Sequence, residues 1–211
     1  MLGRLLGAGE SRAISYQTLF ATGADFSSVT PSGKAINENT AMKIGTVYAA
    51  VRLLSDTIST LPADTFRRVD GARVPFRPKP AWVDNPDSGT SREDHIAQVM
   101  VSLLIDGNAF VRVYRANSGS NTGLVSALVV LDPTKVEVNR NANGEVFYRF
   151  EDRINLSANE IIHITELKKP GELRGMSRIA QVKDTLGIAA ALDEFSARFF
   201  GSGSTTSGIL E

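Results

Sequence analysis

The 211 residues are 42% apolar and 22% charged and include no cysteine, which excludes a largely disordered chain, a disulfide framework, thiolate zinc sites and a cysteine nucleophile. Lys and Arg number 23, as do Asp and Glu, so the chain lacks the positive excess that drives non-specific duplex binding through counterion release. Its longest apolar stretches, such as Leu124 to Leu131, are far shorter than the ~20 residues that cross a bilayer, and Met1 to Ala8 is too short for a secretory signal; a soluble intracellular protein with a buried core is expected.

Residues 1–38 are rich in Gly, Ser, Thr and Ala, sustain no hydrophobic period and are expected to form a flexible arm, although Leu19, Phe20 and Phe26 give it something to bury. From Thr40 the spacing of Val47, Val51, Leu54, Ile58 and Leu61 predicts a helix with one apolar stripe, capped by Asn39 or Thr40 and stopped by Pro62. Residues 63–78 read as a strand, a turn at Asp70-Gly71 and a return that Pro75, Pro78 and Pro80 confine to an edge. Asn85 to Gly89 is a dense turn signal leading to a second helix, with Ser91 and Asp94 as a capping pair and Ile96, Val99, Met100 and Leu103 as its buried stripe. Asp106-Gly107-Asn108 stops that helix, with Gly107 in the left-handed conformation.

Five short strands follow, at about 109–115, 124–131, 135–139, 145–150 and 160–165, and their turn-rich spacing predicts an antiparallel meander. A last helix is predicted over 177–200, with Ile179, Val182, Leu186, Ala189, Leu192, Phe195 and Phe199 on one drifting face and a length of ~36 Å at ~1.5 Å per residue. Gly201 to Gly208 reads as a flexible stretch, and Ile209-Leu210-Glu211 reads as the start of a run that continues past the last residue. The fold class is α+β.

Residues able to carry chemistry are few. His95 is expected on a solvated or partly packed helix surface, and alternation in Glu160-Ile161-Ile162-His163-Ile164 places His163 and Ile161 on a face opposite Ile162 and Ile164, as a core or interface histidine. Asp184 and Asp193 are too far apart on one helix to act as an acid pair, and with Glu194 they read as helical surface. Gly3 to Gly9 lacks the strand and the Lys-Ser/Thr ending of a phosphate loop. No active site, metal or cofactor is expected.

Several segments together resemble the portal protein family of tailed bacteriophages: Val47–Pro62 (VYAAVRLLSDTISTLP), Val101–Phe110 (VSLLIDGNAF), Leu131-Asp132-Pro133 before Val136, Glu160–Ile164 (EIIHI), Gly175–Ile179 (GMSRI), Arg198–Gly203 (RFFGSG) and Ser207–Leu210 (SGIL). Their order and spacing, rather than any one of them, carry the resemblance. It implies a non-enzymatic subunit of a dodecameric ring at a capsid vertex. The terminase drives double-stranded DNA through that ring, which also meets capsid or scaffold protein and a head-tail adaptor, in the virion and without a membrane. The matched part is the N-terminal half: an arm at 1–38, an α+β wing at 39–175 of short antiparallel strands packed by helices, and at 176–211 a long helix starting the stem side.

The same resemblance makes Arg178, Lys183, Arg198, Phe199 and Phe200 candidates for the DNA channel or for contacts between subunits. Salt bridges from the cations to Asp184, Asp193 and Glu194 on a solvated face are the expected alternative. Near-neutral charge is compatible with passage of DNA, because a ring repeats each subunit's charges and inward lysines would grip phosphates. Two rivals stay open: a small cytoplasmic enzyme or ligand-binding domain using His163 and Glu160, and a truncated prophage remnant.

Overall fold

The computed structural model describes residues 29–119, 121–151 and 154–202; Leu19, Phe20 and Phe26 of the expected arm and the segment 203–211 lie outside them. Asn37 begins the helical part. Its side chain accepts from the Thr40 amide at 2.8 Å while the Thr40 hydroxyl accepts from the Asn37 amide at 2.7 Å, a reciprocal cap on α1 (Glu38–Ala41). The expected single helix is therefore two: a turn at 42–44 separates α1 from α2 (Gly45–Ser59), and the cap is Asn37 rather than Asn39 or Thr40.

The stripe expected on α2 is also displaced. Val51, Ser55 and Ser59 are the buried line, whereas Leu54, Ile58 and Leu61 stay exposed with Tyr48 and Leu53. Two serines on the buried line let α2 lie close against α4 (Arg92–Ile105), which Ser91 caps by accepting from the Asp94 amide as expected. The stripe expected on α4 is half-buried, and its deepest residues are Leu104 and Ile105. Between these helices run the hairpin β1 (Phe66–Val69) and β2 (Ala72–Pro75), turned at Asp70-Gly71 with both residues at positive φ, and the single turn α3 (Ala81–Asp84).

The remaining strands do not form a meander. β3 (Asn108–Arg115) pairs with β4 (Val125–Leu131) on one side and with the distant β8 (Ile161–Thr165) on the other, whereas β5 (Val136–Arg140), β6 (Val146–Phe150) and β7 (Ile154–Ser157) form a second antiparallel sheet. Strand β7 has no counterpart in the sequence reading. The register sets Leu131, Phe110 and His163 in one row of the first sheet and Val138, Tyr148 and Leu156 in one row of the second. These rows close a core of Phe110, Leu131, Val136, Tyr148, Leu156 and Ile161 between the sheets.

A second core lies among the helices and holds Ile36, Ala41, Val51, Leu104, Ile105 and Ile179. Residues 29–38, expected within a flexible arm, reach it through Ile36. Thr30 and Ile36 are buried, and the Thr30 amide and hydroxyl both donate to the Lys34 carbonyl at 2.8 Å, folding the segment into a tight strap.

The long helix is broken as well. Ser177 caps α5 (Arg178–Gln181), Val182 leaves helical geometry at φ −117° and ψ 16°, and α6 (Lys183–Gly201) continues for 19 residues, about 28 Å at ~1.5 Å per residue. The break aims Leu186 and Ala190 of α6 into the helical core. Gly187 then passes beneath the strap, where a Cβ would stand 2.4 Å from the Thr30 hydroxyl and 2.8 Å from that of Ser32. Alanine at an open helical position stabilises by about 1 kcal/mol over glycine, but overpacking costs about 1–3 kcal/mol. Gly187→Ala is therefore expected to lower the urea midpoint rather than raise it, as read by far-UV circular dichroism.

Candidate functional site

Three buried polar residues, Asp106, Asn108 and Ser177, gather where α4 becomes β3. Gly107 has φ +82°, and a Cβ there would stand 2.2 Å from the Met176 carbonyl oxygen, while a Cβ on Gly175 would stand 2.3 Å from the Gly107 carbonyl oxygen. Two backbones thus cross at a distance only glycine allows. Asn108, 1% exposed, seals the crossing. Its Nδ2 donates to Asp106 Oδ1 at 2.8 Å and to the Gly175 carbonyl at 3.1 Å, and its Oδ1 accepts from the Gly175 amide at 2.6 Å and from His163 Nε2 at 3.1 Å. Both donors and both lone pairs of the amide are used.

Because Asn108 Oδ1 only accepts, His163 carries its proton on Nε2, and its Nδ1 faces the Tyr148 hydroxyl at 3.4 Å. The ring stacks on Phe110 with centroids 4.3 Å apart. Burial, with the charges of Arg174 and Lys168, pushes the His163 pKa down to about 4, so the imidazole is neutral at pH 7. Arg174 completes the cluster: its guanidinium donates to Asp106 Oδ1 at 2.7 Å, to the Val136 carbonyl at 2.6 Å and to the Pro133 carbonyl at 3.3 Å. Burial raises the Asp106 pKa against the pull of Arg174 and Asn108. Partial burial at the start of α1, with the charges of Asp106 and Asp132, pushes the half-buried Glu38 up to about 7, with Arg174 opposing.

This cluster latches the segment after β8 onto the α4–β3 junction. His163 sits on the expected core face, but Glu160 does not join it: its carboxylate accepts from the Ser157 amide at 2.9 Å and the Ser157 hydroxyl at 2.7 Å, closing the turn between β7 and β8. The pair required by the enzyme reading is not assembled. His95 is half-buried on α4, where burial lowers its pKa. A groove of about 310 Å³ beside Trp82, Val113, Leu128 and Ile161 has Arg115 as its one charged lining residue. Among the described residues no group of three His, Cys, Asp or Glu is placed to hold a metal ion, and no helix is long and apolar enough to cross a membrane.

The other candidates lie on α5 and α6. Arg178 pairs with Glu166 on the latch segment instead of with an α6 carboxylate, and Arg198 pairs with Glu194 one turn away. Lys34 of the strap also pairs with Glu194. Lys183 opens α6. Phe199 and Phe200 are exposed and continue an uncovered face that includes Ile188, Leu192 and Phe195, the last 67% exposed. The Phe195 and Phe199 rings stack at 6.2 Å, and Phe199 meets Phe200 edge-on at 5.4 Å. The drifting apolar face expected over Val182, Leu192, Phe195 and Phe199 is largely exposed, because periodicity shows that a face is apolar without showing what covers it.

The family model described as phage portal protein matches residues 45–211. The chain belongs to the phage portal protein family. It is 32% identical over 200 residues to the probable portal protein of Streptomyces phage phiC31, an alignment covering 87% of this chain and 42% of that protein. Against the portal protein of Enterobacteria phage HK97 the identity is 26%, covering 83% and 42%. This portal family chain therefore spans about two fifths of the length of the curated relatives it matches. Its fold is similar to that of a chain in the neck of a native gene transfer agent particle computed with C12 symmetry (TM-score 0.60, 17% identity, 90% of this chain and 54% of that one). It is also similar to a crystal structure of an HK97 family phage portal protein from Corynebacterium diphtheriae (TM-score 0.51, 20% identity, 76% and 49%).

Two predictions follow from the latch. A side chain at Gly107 meets both the left-handed backbone cost of about 1–2 kcal/mol and a rigid carbonyl, so Gly107→Ala is expected to lose about 3 kcal/mol or more in chemical denaturation. For pH, unfolding lets His163 take up a proton between about 4 and its ordinary 6.5, so this group makes stability rise with pH across that window. Glu38 acts oppositely: the folded chain keeps a proton that the unfolded chain releases between 4.5 and about 7, so stability falls as pH rises. The Tm of Glu38→Gln relative to wild type is expected to climb from pH 4.5 to 7.5; a difference that stays constant contradicts the raised Glu38 pKa.

Proposed function

We propose that the chain is part of a phage portal subunit, a structural and non-enzymatic component of the virion that assembles into a ring at the capsid vertex. The observation that carries this reading is the uncovered α6 face of Ile188, Leu192, Phe195, Phe199 and Phe200 on a portal family chain. A closed ring needs contacts between two different patches on neighbouring subunits, and each large apolar side chain removed from water there contributes about 1.5–3 kcal/mol. Phe199 and Phe200 are assigned to contacts between subunits. The neck structures of similar fold, computed with C6 and C12 symmetry, support a ring, for which twelve subunits is the proposed number.

In this reading residues 39–175 serve as the wing and 176–211 as the start of the stem side. Packaging driven by the terminase sends double-stranded DNA through the ring without sequence recognition, while capsid or scaffold protein and a head-tail adaptor dock outside it. Arg178 and Arg198, already engaged with Glu166 and Glu194, present partly neutralised charge, which suits a surface past which a polyanion slides. Lys183 belongs to the same candidate surface.

The test is native mass spectrometry with negative-stain imaging of the chain expressed in its natural reading frame. Rings with a central hole are expected, and the triple variant Phe195→Asp, Phe199→Asp, Phe200→Asp is expected to shift the mass to the monomer while leaving the circular dichroism spectrum unchanged. A wild-type protein that stays monomeric at high concentration and has no affinity for procapsids overturns the reading.

A further inference from the structure

The hairpin β1–β2 stands out from the rest of the molecule in exposure and in charge. All four residues of β1 are exposed, as are all of β2 except Val74. An isolated two-stranded ribbon gains little from its own pairing in water, so this one depends on its base. There Asp64 binds Arg77 through two bonds of 2.8 and 3.0 Å, and Lys79 donates to the Ala63 carbonyl at 2.9 Å and to Asp84 at 2.5 Å. Those pairs use the carboxylates nearest the base.

The ribbon above the base has no such compensation. Arg67, Arg68 and Arg73 face a single carboxylate within residues 66–75, Asp70 in the turn, and none of the three makes an ion pair among the described residues. The register places Arg68 directly opposite Arg73, a like-charged cross-strand pair that opposes the hairpin unless an anion sits on it. Phe66 shares that face, and the Arg73 guanidinium lies 4.2 Å over its ring, which holds the plane of the guanidinium and leaves its N–H edge for a carboxylate. Alternation puts Arg67 with Val69 and Val74 on the opposite face.

We infer that this hairpin is a docking arm for an acidic, partly apolar segment of another protein that wraps the ribbon, its carboxylates covering Arg68 and Arg73 on one face and Arg67 on the other, and its apolar side chains covering Phe66, Val69 and Phe76. Charge complementarity sets the sign of the partner, and the apolar share sets its class. Phe66, Val69 and Phe76 are each exposed beside the arginines, a mixture of arginine and aromatic rings that marks protein interfaces. A nucleic acid backbone would satisfy the guanidinium groups but leave these side chains facing phosphate and water. The hairpin is complete in one chain, so the inference stands whether or not the chain forms a ring.

The experiment uses the full 211-residue chain and two fluorescent probes of similar charge: a 16-residue peptide alternating Glu or Asp with Leu or Phe, and a short duplex DNA. Anisotropy is expected to show saturable peptide binding that weakens as salt rises and is at least tenfold weaker in the variant Arg67→Glu, Arg68→Glu, Arg73→Glu. The control Lys43→Glu, Arg52→Glu, Arg140→Glu makes the same change in net charge elsewhere and is expected to bind as wild type. Emission of Trp82, near the foot of the hairpin, with far-UV circular dichroism checks that both variants are folded. Duplex DNA bound as tightly as the peptide overturns the inference, as does an absence of peptide binding or equal loss in the control.

Discussion

The structure depends on the crossing of Gly107 with Gly175, sealed by the side chain of Asn108. At that point α4 hands over to β3, the segment after β8 returns from more than 60 residues away in sequence, and the two backbones pass at a separation that admits no Cβ on either. Burying an amide costs stability unless its hydrogen bonds are remade, and here all of them are, so the polar cluster adds specificity without leaving an orphan. Arg174 extends the same knot into the second sheet through the carbonyls of Pro133 and Val136. One polar cluster therefore joins both cores.

The helices around this knot are tied together at further points. Ser177 caps α5 through the Ala180 amide and donates to the Ile105 carbonyl at 2.7 Å, so the helix that leads out of the knot is tied to the helix that led in. The strap at 29–36 then holds α6 from the other side at Gly187. Among the described residues this close packing lies on the first half of α6, with Lys34 of the strap reaching Glu194 beyond it. Its second half carries the phenylalanine face outward, as a helix does when its apolar stripe is meant for another molecule.

The surface is divided in a related manner. Apolar side chains dominate the open faces of α2 and α6, whereas arginines crowd the β1–β2 hairpin, and zero net charge over the whole chain conceals that local excess. Exposed surfaces of such different chemistry are suited to covers of different chemistry.

Sequence alone determined the local elements: the Ser91 cap, the stop at Gly107, the Asp70-Gly71 turn, the strands β3, β4, β5, β6 and β8, and the inward face of His163. Each of these follows from a period of 2 or 3.6 or from the backbone preference of one residue, and such signals are contained within a few positions. Tertiary structure alone decided that β8 returns to β3 instead of continuing a meander, that Asp106, Asn108 and Arg174 form a latch, that 29–38 joins the core and that Val182 breaks the last helix. It also decided which apolar residues of α2 and α6 stay uncovered. Those outcomes depend on which remote segment closes onto which, and a hydrophobic period records that a face is apolar while the identity of its cover is set by the whole chain or by another molecule.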